Sequence, residues 1–497
     1  MSVNLIIPAA GAATRLRPLS SNTSKVMVRV NGKPCLDYII EQARKTADIA
    51  EIVIVDGKFN DIREYCSRRH PDVKFANQPN YDGPRDAIAR GMNALEDPSK
   101  PVVVWLGDAI ILEEDMPFGS DFLLCKEVDN QSAWCMWDGE AYYNKPTNKI
   151  SDAVALVGLY SFKNGISAQN AFNTVEQYDI SHALEVYGKY ERVLTNKWYD
   201  IGDLPTYYET CAKLLNLKSR AFNDMMYDPD LGTVRKSPDY HNATSVETIR
   251  TEKKWYRMLT PEQSMFVPRV LETKHDLVMS YESGTLLSDL MLYENLSESA
   301  WEYIIDKVFK IKLNYFNELC DDEVFIREFD QLAEDMWVTK TTKRLRNVKF
   351  TENDRQKLLK ISEAAYRITR PITGMHGDLH FGNILYNQQT NQIKLIDPRG
   401  AYGSYVGTEG DHIYDFAKLA HDLYHGYGAM VANVKHNEYV KDIFVRKLKE
   451  YNLPVKEIID AGCLLIATCI PLHYDDPERQ SRFKYYVEEY LSEEYSV

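Results

Sequence analysis

The chain has no CxxC pair, no apolar run long enough to cross a bilayer, no block of like charges and no low-complexity linker. Its cysteines, at positions 35, 66, 125, 135, 211, 320, 463 and 469, are scattered. That argues against a disulfide scaffold or a zinc knuckle and for reduced thiols. The most apolar late segment, Ala461–Leu472, falls short of the ~20 residues of a membrane span. The opening MSVNLIIPAAGAATRL has no basic stretch ahead of its apolar run, as a secretory signal would. A soluble, cytoplasmic protein without membrane insertion is therefore expected. Positive charge is in deficit: 59 Lys+Arg against 73 Asp+Glu leave a net charge of −14. That excludes a non-specific nucleic-acid binder. No feature sets an oligomeric state, and a homo-oligomer is compatible with the sequence. What is present is ordinary for a globular protein. The 497 residues, 44% hydrophobic and 27% charged, suit roughly two to four domains.

The first hundred residues alternate between short apolar runs and segments with apolar residues at helical spacing. Val3–Pro8, Glu51–Val55, Val73–Ala76 and Pro101–Leu106 read as strands. Leu36–Ala47, Asp61–His70 and Arg85–Ala94 read as helices. Near-continuous apolar strands alternating with helices indicate a parallel sheet covered on both faces, with ligands expected beyond the strands' carboxyl ends. A helical stretch, Leu204–Leu217, closes this part. The pattern then restarts at Tyr227–Lys236, where DPDLG supplies a turn between extended runs. Beyond about residue 290, long amphipathic helices dominate, interrupted by a loop-rich block over 371–411. The boundary is expected near residue 218, and no internal repeat is seen.

Two constellations carry chemistry. In the first, Pro8–Leu16 (PAAGAATRL) follows the first strand directly. The small residues Ala10, Gly11 and Ala12 let backbone N–H groups approach a triphosphate, and Arg15 adds a permanent charge. Lys25 lies within reach of the same phosphates. Asp108, in Trp105-Leu106-Gly107-Asp108, and Asp200, in Trp198–Asp203, end two further apolar approaches. Two carboxylates from separate strands can share a Mg²⁺ ion bridging to a phosphate.

This set is similar to the nucleoside-diphosphate-sugar pyrophosphorylases. It comprises Gly11–Leu16, Pro18-Leu19, Lys25, Gly32-Lys33-Pro34, Gln78, Gly83–Ala87, Leu106–Asp108, Asn144-Lys145-Pro146 and Trp198–Gly202. The resemblance runs in order over about the first 215 residues and implies a Rossmann-like nucleotidyltransferase with a mixed, mostly parallel sheet. It further implies that Gln78 and Gly83 read the nucleobase, and that Arg15 and Lys25 hold the triphosphate. Lys145 would meet the acceptor phosphate, and Asp108 and Asp200 would bind Mg²⁺. Two residues depart from the family's pattern: Ala13 stands where glycine is usual, and Asn144 where an acidic residue often precedes Lys-Pro. The domain ends without a hexapeptide β-helix. That compact size is similar to uridylyltransferases for amino-sugar phosphates and to cytidylyltransferases for phosphocholine, so UTP or CTP is favoured.

The second constellation is His376-Gly377-Asp378 followed by Asn383, then an apolar run ending at Asp397. Four fixed positions at about 1/20 each give on the order of 0.003 chance matches in a chain of this length. A carboxylate, Asp378, can orient and deprotonate an attacking hydroxyl. Asn383 and Asp397 can hold Mg²⁺ on ATP phosphates. This block resembles the aminoglycoside phosphotransferase and choline kinase superfamily, over roughly residues 219–497. The resemblance implies a bilobal, protein-kinase-like α+β domain, with an N-lobe over about 219–285 and a C-lobe over about 286–497. It implies that Lys236, rather than Arg235, meets the α/β-phosphates. Glu252, in a helix expected over Glu247–Leu259, would pair with it. Met279 and Tyr281 would lie in the hinge under the adenine. Only Gly232 is available where a multi-glycine loop is usual. Asp415 reads as structural, His376 and His380 as orienting hydrogen-bonders, and Arg399, Glu409, Asp411 and His412 as candidates to contact the hydroxyl substrate.

The expected class is thus α/β, with a nucleotidyltransferase over 1–218 and a small-molecule kinase over 219–497. The expected partners are ATP, a second NTP and a small hydroxylated compound, with Mg²⁺ at both sites. Consecutive steps would make an NDP-activated precursor for cell-envelope or capsule polysaccharide. Two alternatives stay open. One is a nucleotidyltransferase with a kinase-fold binding or regulatory module; the other is a phosphocholine-type cytidylyltransferase joined to a choline kinase.

Overall fold

Val3–Pro8 is the axis of the N-terminal unit because its residues Val3–Ile7 are buried on both faces. It pairs in parallel with Ile49–Asp56 on one side and Val102–Trp105 on the other. Lys74–Asn77 extends the sheet beyond Ile49–Asp56, again in parallel. The chain thus builds one side first and crosses back to the other. The strand order reverses between Val3–Pro8 and Val102–Trp105, and the crevice at such a reversal is where open α/β sheets bind ligands. Beyond Val102–Trp105 the nine-stranded sheet turns antiparallel through Val154–Phe162, which also pairs with Phe122–Lys126 and Cys135–Trp137. The sheet is therefore mixed.

The computed structural model describes every residue except 1, 18, 22, 216–222, 229, 272–274, 294–295, 389, 433–435, 475 and 495–497. Pro18, and the boundary expected at 218, lie outside the described residues. The chain divides into two compact units, Met1–Leu215 and Asn216–Val497.

The second unit begins with a four-stranded antiparallel sheet: Asn223–Asp228, Thr233–Pro238, Leu277–Ser280 and Val270–Leu271. The helix Ala243–Met258 packs with it. It starts four residues before the expected Glu247, because the Asn242 side chain caps it by accepting hydrogen bonds from the Thr244 and Ser245 N–H groups. After Tyr281–Gly284 the unit becomes helical. Tyr414–Leu423 packs against Val455–Cys469, eleven of whose fifteen residues are buried. No helix among the described residues is long and apolar enough to cross a membrane. All eight cysteines are free thiols.

Candidate active sites

The first site lies at the strand reversal. Pro8–Arg15, Lys25, Gln78, Gly83 and Leu106–Asp108 line a cavity of about 380 Å³. Ser24 fixes the approach to Lys25: its N–H and hydroxyl both donate to the Asp61 carboxylate at 2.7 Å. Lys25 Nζ then sits 2.5 Å from Asp108 Oδ2. Gly107 is required where it stands, since a Cβ there would come within 2.9 Å of the Pro8 carbonyl oxygen and 2.3 Å of Val26 Cγ1. Trp198–Asp200 pairs antiparallel with Ala109–Ile111, setting Asp200 opposite Ala109 and beside Asp108. The Ile201 N–H donates to the Asp108 carbonyl at 3.0 Å, which locks the two carboxylates together.

The electrostatics of this pair are asymmetric. Burial raises Asp108, but the charge and hydrogen bond of Lys25 outweigh it and hold that carboxyl below its usual range. Asp200 has no comparable partner; burial first, and then the Asp108 charge, push it up to about 6. A divalent cation between the two relieves that repulsion, and Mg²⁺ commonly takes one or two carboxylates plus substrate phosphates. The donor set therefore fits the metal. Among the described residues no group of three or more His, Cys, Asp or Glu is arranged to hold a metal ion by itself, so phosphate oxygens and water would complete the shell.

Gln78 is buried, and its Nε2 donates to Asp86 Oδ2 at 2.8 Å and to the Gly83 carbonyl at 3.1 Å. Those bonds fix the amide so that Oε1, buried and without a partner, is left as an acceptor. Gly83 has φ +88°, and a Cβ there would lie 2.5 Å from Tyr178 Cδ1. Lys145 is exposed and does not line the cavity. Beside it, Asn144 Nδ2 donates to Asp179 Oδ2 at 2.5 Å. A carboxylate that the sequence does not supply next to Lys145 thus arrives from Asp179, which also caps the helix Ile180–Tyr187.

Ala13 adopts φ 48° and ψ 38°, the left-handed region. For a residue with a Cβ this costs about 1–2 kcal/mol, offset in part by the extra entropy glycine loses on folding. Ala13→Gly is expected to stabilise the N-terminal unit by up to about 1 kcal/mol. Its unfolding transition should shift upward in a thermal or denaturant melt; a downward shift would show that the turn is not strained.

The second site is built from both parts of its unit. Residues alternate across a strand, so Arg235 faces outward to Asp276 at 3.4 Å and Lys236 faces inward. Lys236 Nζ lies 2.7 Å from Glu252 Oε2 and 3.1 Å from Asp397 Oδ1. Burial lowers the Lys236 pKa, but the two carboxylates outweigh it and raise it. Asp397 has φ 56°, a conformation uncommon for any residue but glycine and often found at functional positions. Met279 is buried in the strand Leu277–Ser280. Tyr281 follows it, half-exposed, with its N–H on the Gly232 carbonyl at 2.8 Å.

Asp378 meets three groups. Lys418 Nζ lies 2.9 Å from Oδ1, Asn383 Nδ2 donates to Oδ2 at 3.1 Å, and His380 Nε2 stands 3.7 Å away. Burial raises the Asp378 pKa, yet Lys418 and His380 outweigh it and hold the carboxyl well below its usual value. With Nδ2 spent on Asp378, Asn383 keeps Oδ1 buried and without a partner. That orphaned oxygen, with Asp397, fits Mg²⁺. Asp415 accepts from the His376 and Gly377 N–H groups at 2.9 and 2.8 Å and pairs with Lys312 at 2.8 Å. It clamps the backbone that carries Asp378.

One of the loop candidates does not offer a free side chain. Asp411 is fully buried and accepts from Trp337 Nε1, Tyr402 OH and the Ile413 and Tyr414 N–H groups. His412 Nδ1 accepts from the Arg370 N–H, and burial, with Arg370 and Lys312 nearby, pushes its pKa down to about 4. Asp411, held by four donors, is structural. Lys418 was not singled out from sequence; its signal is its place four residues after Tyr414, a lone charged lysine in a helix whose other residues are buried.

Residues 5–119 match the family described as the MobA-like NTP transferase domain, and residues 234–446 match the phosphotransferase enzyme family. The first match includes Asp108 and ends before Lys145 and Asp200. The bifunctional protein GlmU of Methanocaldococcus jannaschii is 31% identical over 224 residues, 40% of this chain and 51% of the relative. That of Caldicellulosiruptor saccharolyticus is 34% identical over 111 residues, 22% of this chain and 23% of the relative. This chain thus spans at most about half the length of these curated relatives. The crystal structure of UDP-glucose pyrophosphorylase complexed with UDP-glucose aligns at 19% identity over 44% of this chain and 100% of that one, with a TM-score of 0.38.

Proposed function

We propose that this chain, which joins a MobA-like NTP transferase domain to a domain of the phosphotransferase enzyme family, is a bifunctional kinase and nucleotidyltransferase. The observation that carries the reading is that each unit keeps its own charged set. Lys25, Asp108 and Asp200 converge in the first unit; Lys236, Glu252 and Asp397 converge in the second, where Asp378 and Asn383 meet on the neighbouring loop.

In the second unit Lys236 would hold the α/β-phosphates of ATP, kept in place by Glu252. The hydroxyl oxygen of the acceptor bonds to the γ-phosphorus as the bond to the β–γ bridging oxygen breaks, and ADP leaves. Asp378 orients that hydroxyl and takes its proton. In the first unit an oxygen of the new phosphate bonds to the α-phosphorus of a second NTP, and pyrophosphate leaves. Arg15, Lys25 and the N–H groups of Ala10–Ala12 would hold its triphosphate, and Lys145, outside the cavity lining, would have to reach in to meet the incoming phosphate. Bound at Asp108 and Asp200, and at Asn383 and Asp397, Mg²⁺ would neutralise phosphate charge. The product is an NDP-activated compound of the kind used to build envelope or capsule polymers, assembled in the cytoplasm. Tethering raises the phosphorylated intermediate's effective concentration at the second site.

The unpartnered Gln78 Oε1 can accept a donor from the base; uracil, cytosine, adenine and guanine all present one, so the preference for a pyrimidine rests on the compact size of the domain. UTP is the favoured second nucleotide, with CTP next. The test is one screen of the purified chain with Mg-ATP, each second NTP and a panel of hydroxylated acceptors. Pyrophosphate release that requires ATP, one acceptor and one pyrimidine NTP is expected. Release without ATP from an unphosphorylated acceptor would overturn the order of steps. Release of pyrophosphate with no ADP formed would leave a single-activity transferase.

A further inference from the structure

The acceptor side of the phosphotransferase unit has an unusual charge. A π-helical turn, Asp335–Thr339, leads into the short helix that begins at Lys340; such turns recur at functional sites. It brings two side chains to one aromatic ring. Trp337 packs edge-on against Tyr414 at 5.4 Å, and Lys340 Nζ lies 6.0 Å from the same ring centroid. Arg399, two residues after Asp397, places Nη1 3.3 Å from the Tyr414 hydroxyl. Lys418 is one helical turn beyond Tyr414 and touches Asp378 at 2.9 Å. Tyr414 thus gathers Lys340 and Arg399 one helical turn from Lys418, which pairs with the carboxylate expected to orient the acceptor hydroxyl.

These cations are not balanced. Among the described residues neither Lys340 nor Arg399 has a carboxylate at ion-pair distance. The same is true of nearby Arg344, whose Nη1 donates only to the Thr468 carbonyl at 3.4 Å. All three are half-buried. Burial, then Arg399, Arg344 and Lys418, push the Lys340 pKa down to about 6, so the amine takes up its full charge only when an anion is bound beside it. A chain with a net charge of −14 has carboxylates to spare, yet the one that touches Trp337 and Tyr414, Asp411, is spent on those two residues, Tyr402 and Ile413 and pairs with neither cation. Further along the same helix face is His421, buried and with neither ring nitrogen hydrogen-bonded, its ring 4.0 Å from that of Tyr427. An imidazole in that state offers one donor and one acceptor to a polar guest.

We propose that the acceptor is a small hydroxylated oxyanion whose carboxylate or phosphate is held by Lys340 and Arg399 while its hydroxyl faces Asp378. The inference rests on the kinase reading above and narrows its substrate class. A guanidinium and an ammonium are the usual means of holding a carboxylate or phosphate in a partly buried site. A cationic amino alcohol would meet the Arg399 guanidinium as a like charge and would keep Lys340 deprotonated, which argues against a choline-type acceptor.

The test uses the full chain with Mg-ATP and acceptors matched in size but differing in charge. Glycerate, glycerol 3-phosphate, glycerol and serinol form one series; glucuronate, glucose and glucosamine form another. ADP release is scored above hydrolysis by water. The acid-bearing member of a series is expected to have the highest kcat/KM, and glycerate against glycerol 3-phosphate separates a carboxylate from a phosphate. Lys340→Gln and Arg399→Gln are each expected to raise KM for that acceptor about tenfold or more, with KM for ATP unchanged. Arg399→Lys should recover part of the loss. A preference for neutral or cationic members, or variants that change kcat and the ATP KM but not the acceptor KM, would overturn the inference and leave the kinase standing. Absence of any ATP turnover, water included, would remove the kinase reading and the inference with it.

Discussion

Asp378→Asn is expected to lower ATP-dependent phosphorylation of the acceptor by about 10²–10⁴-fold, the usual range for loss of a positioned acid or base. Pyrophosphate release from the second NTP, supplied with acceptor already phosphorylated, should persist, because Asp378 belongs to the other compact unit. The change keeps the shape of the side chain and an oxygen for the Asn383 amide, so the loop should hold its form. What it removes is the charge opposite Lys418, 2.9 Å away. Burial lowers Lys418 and the Asp378 charge raises it above its usual value, so losing that charge leaves a half-buried ammonium uncompensated. Breaking such a pair costs up to about 3–5 kcal/mol when fully buried. Here the Asp378 side chain is 37% exposed, and solvent screening makes the loss much smaller. The wild-type pair also has a pH signature. A carboxyl held below its unfolded value contributes stability at neutral pH and loses it as pH falls through its folded pKa. A thermal melt near neutrality separates misfolding from lost catalysis. A variant that stays folded and keeps more than about a tenth of its kinase rate would remove Asp378 from the proton-accepting role.

The sequence made one class of feature readable and hid another. Val3–Pro8 and Val102–Trp105 were visible because parallel strands buried on both faces must be continuously apolar. Lys236 could be preferred over Arg235 by the resemblance, and the strand's alternation gives the physical reason: one points to Asp276, the other to Glu252 and Asp397. Asp108 and Asp200 each followed an apolar approach, so their place at strand ends was legible. Their different proton affinities were not, because only the fold gives the Lys25 hydrogen bond to Asp108 and leaves Asp200 without one. Ala13 carried no sign of its left-handed backbone, which is ordinarily announced by glycine or asparagine. Asp411 looked like a substrate contact because a carboxylate surrounded by four donors is indistinguishable in sequence from one facing a ligand. Lys340 and Lys418 sit on helices with no motif around them, and only tertiary packing brings them to Tyr414 and Asp378. Asn144 looked like a gap in the acceptor site, and the fold fills it from Asp179, 35 residues away.

Asp108→Asn is expected to cut pyrophosphate release by about 10²–10³-fold, as for loss of one group that stabilises developing charge, while ATP-dependent phosphorylation continues. The change acts twice: it weakens the hold on the divalent cation and frees Lys25 from its 2.5 Å partner. It also acts on Asp200, whose pKa of about 6 comes from burial first and from the Asp108 charge second. Removing the second cause lowers Asp200 toward its ordinary value, with burial still holding it above. The stability consequence has a definite sign. In the wild-type chain without metal, the folded state holds the Asp200 proton more tightly than the unfolded state. Stability from this group is therefore full below the unfolded carboxylate range and is lost as pH rises through about 6. A cation bridging the two carboxylates reverses that loss, so Mg²⁺ should raise the unfolding temperature more at pH 8 than at pH 5.5. Asp200→Asn should flatten the difference, since it leaves no proton to displace. Melts of the full chain with and without Mg²⁺, at both pH values and without nucleotide, read this without relying on turnover. An Mg²⁺ effect equal at the two pH values, or one unchanged in Asp108→Asn, would place the cation elsewhere in the chain.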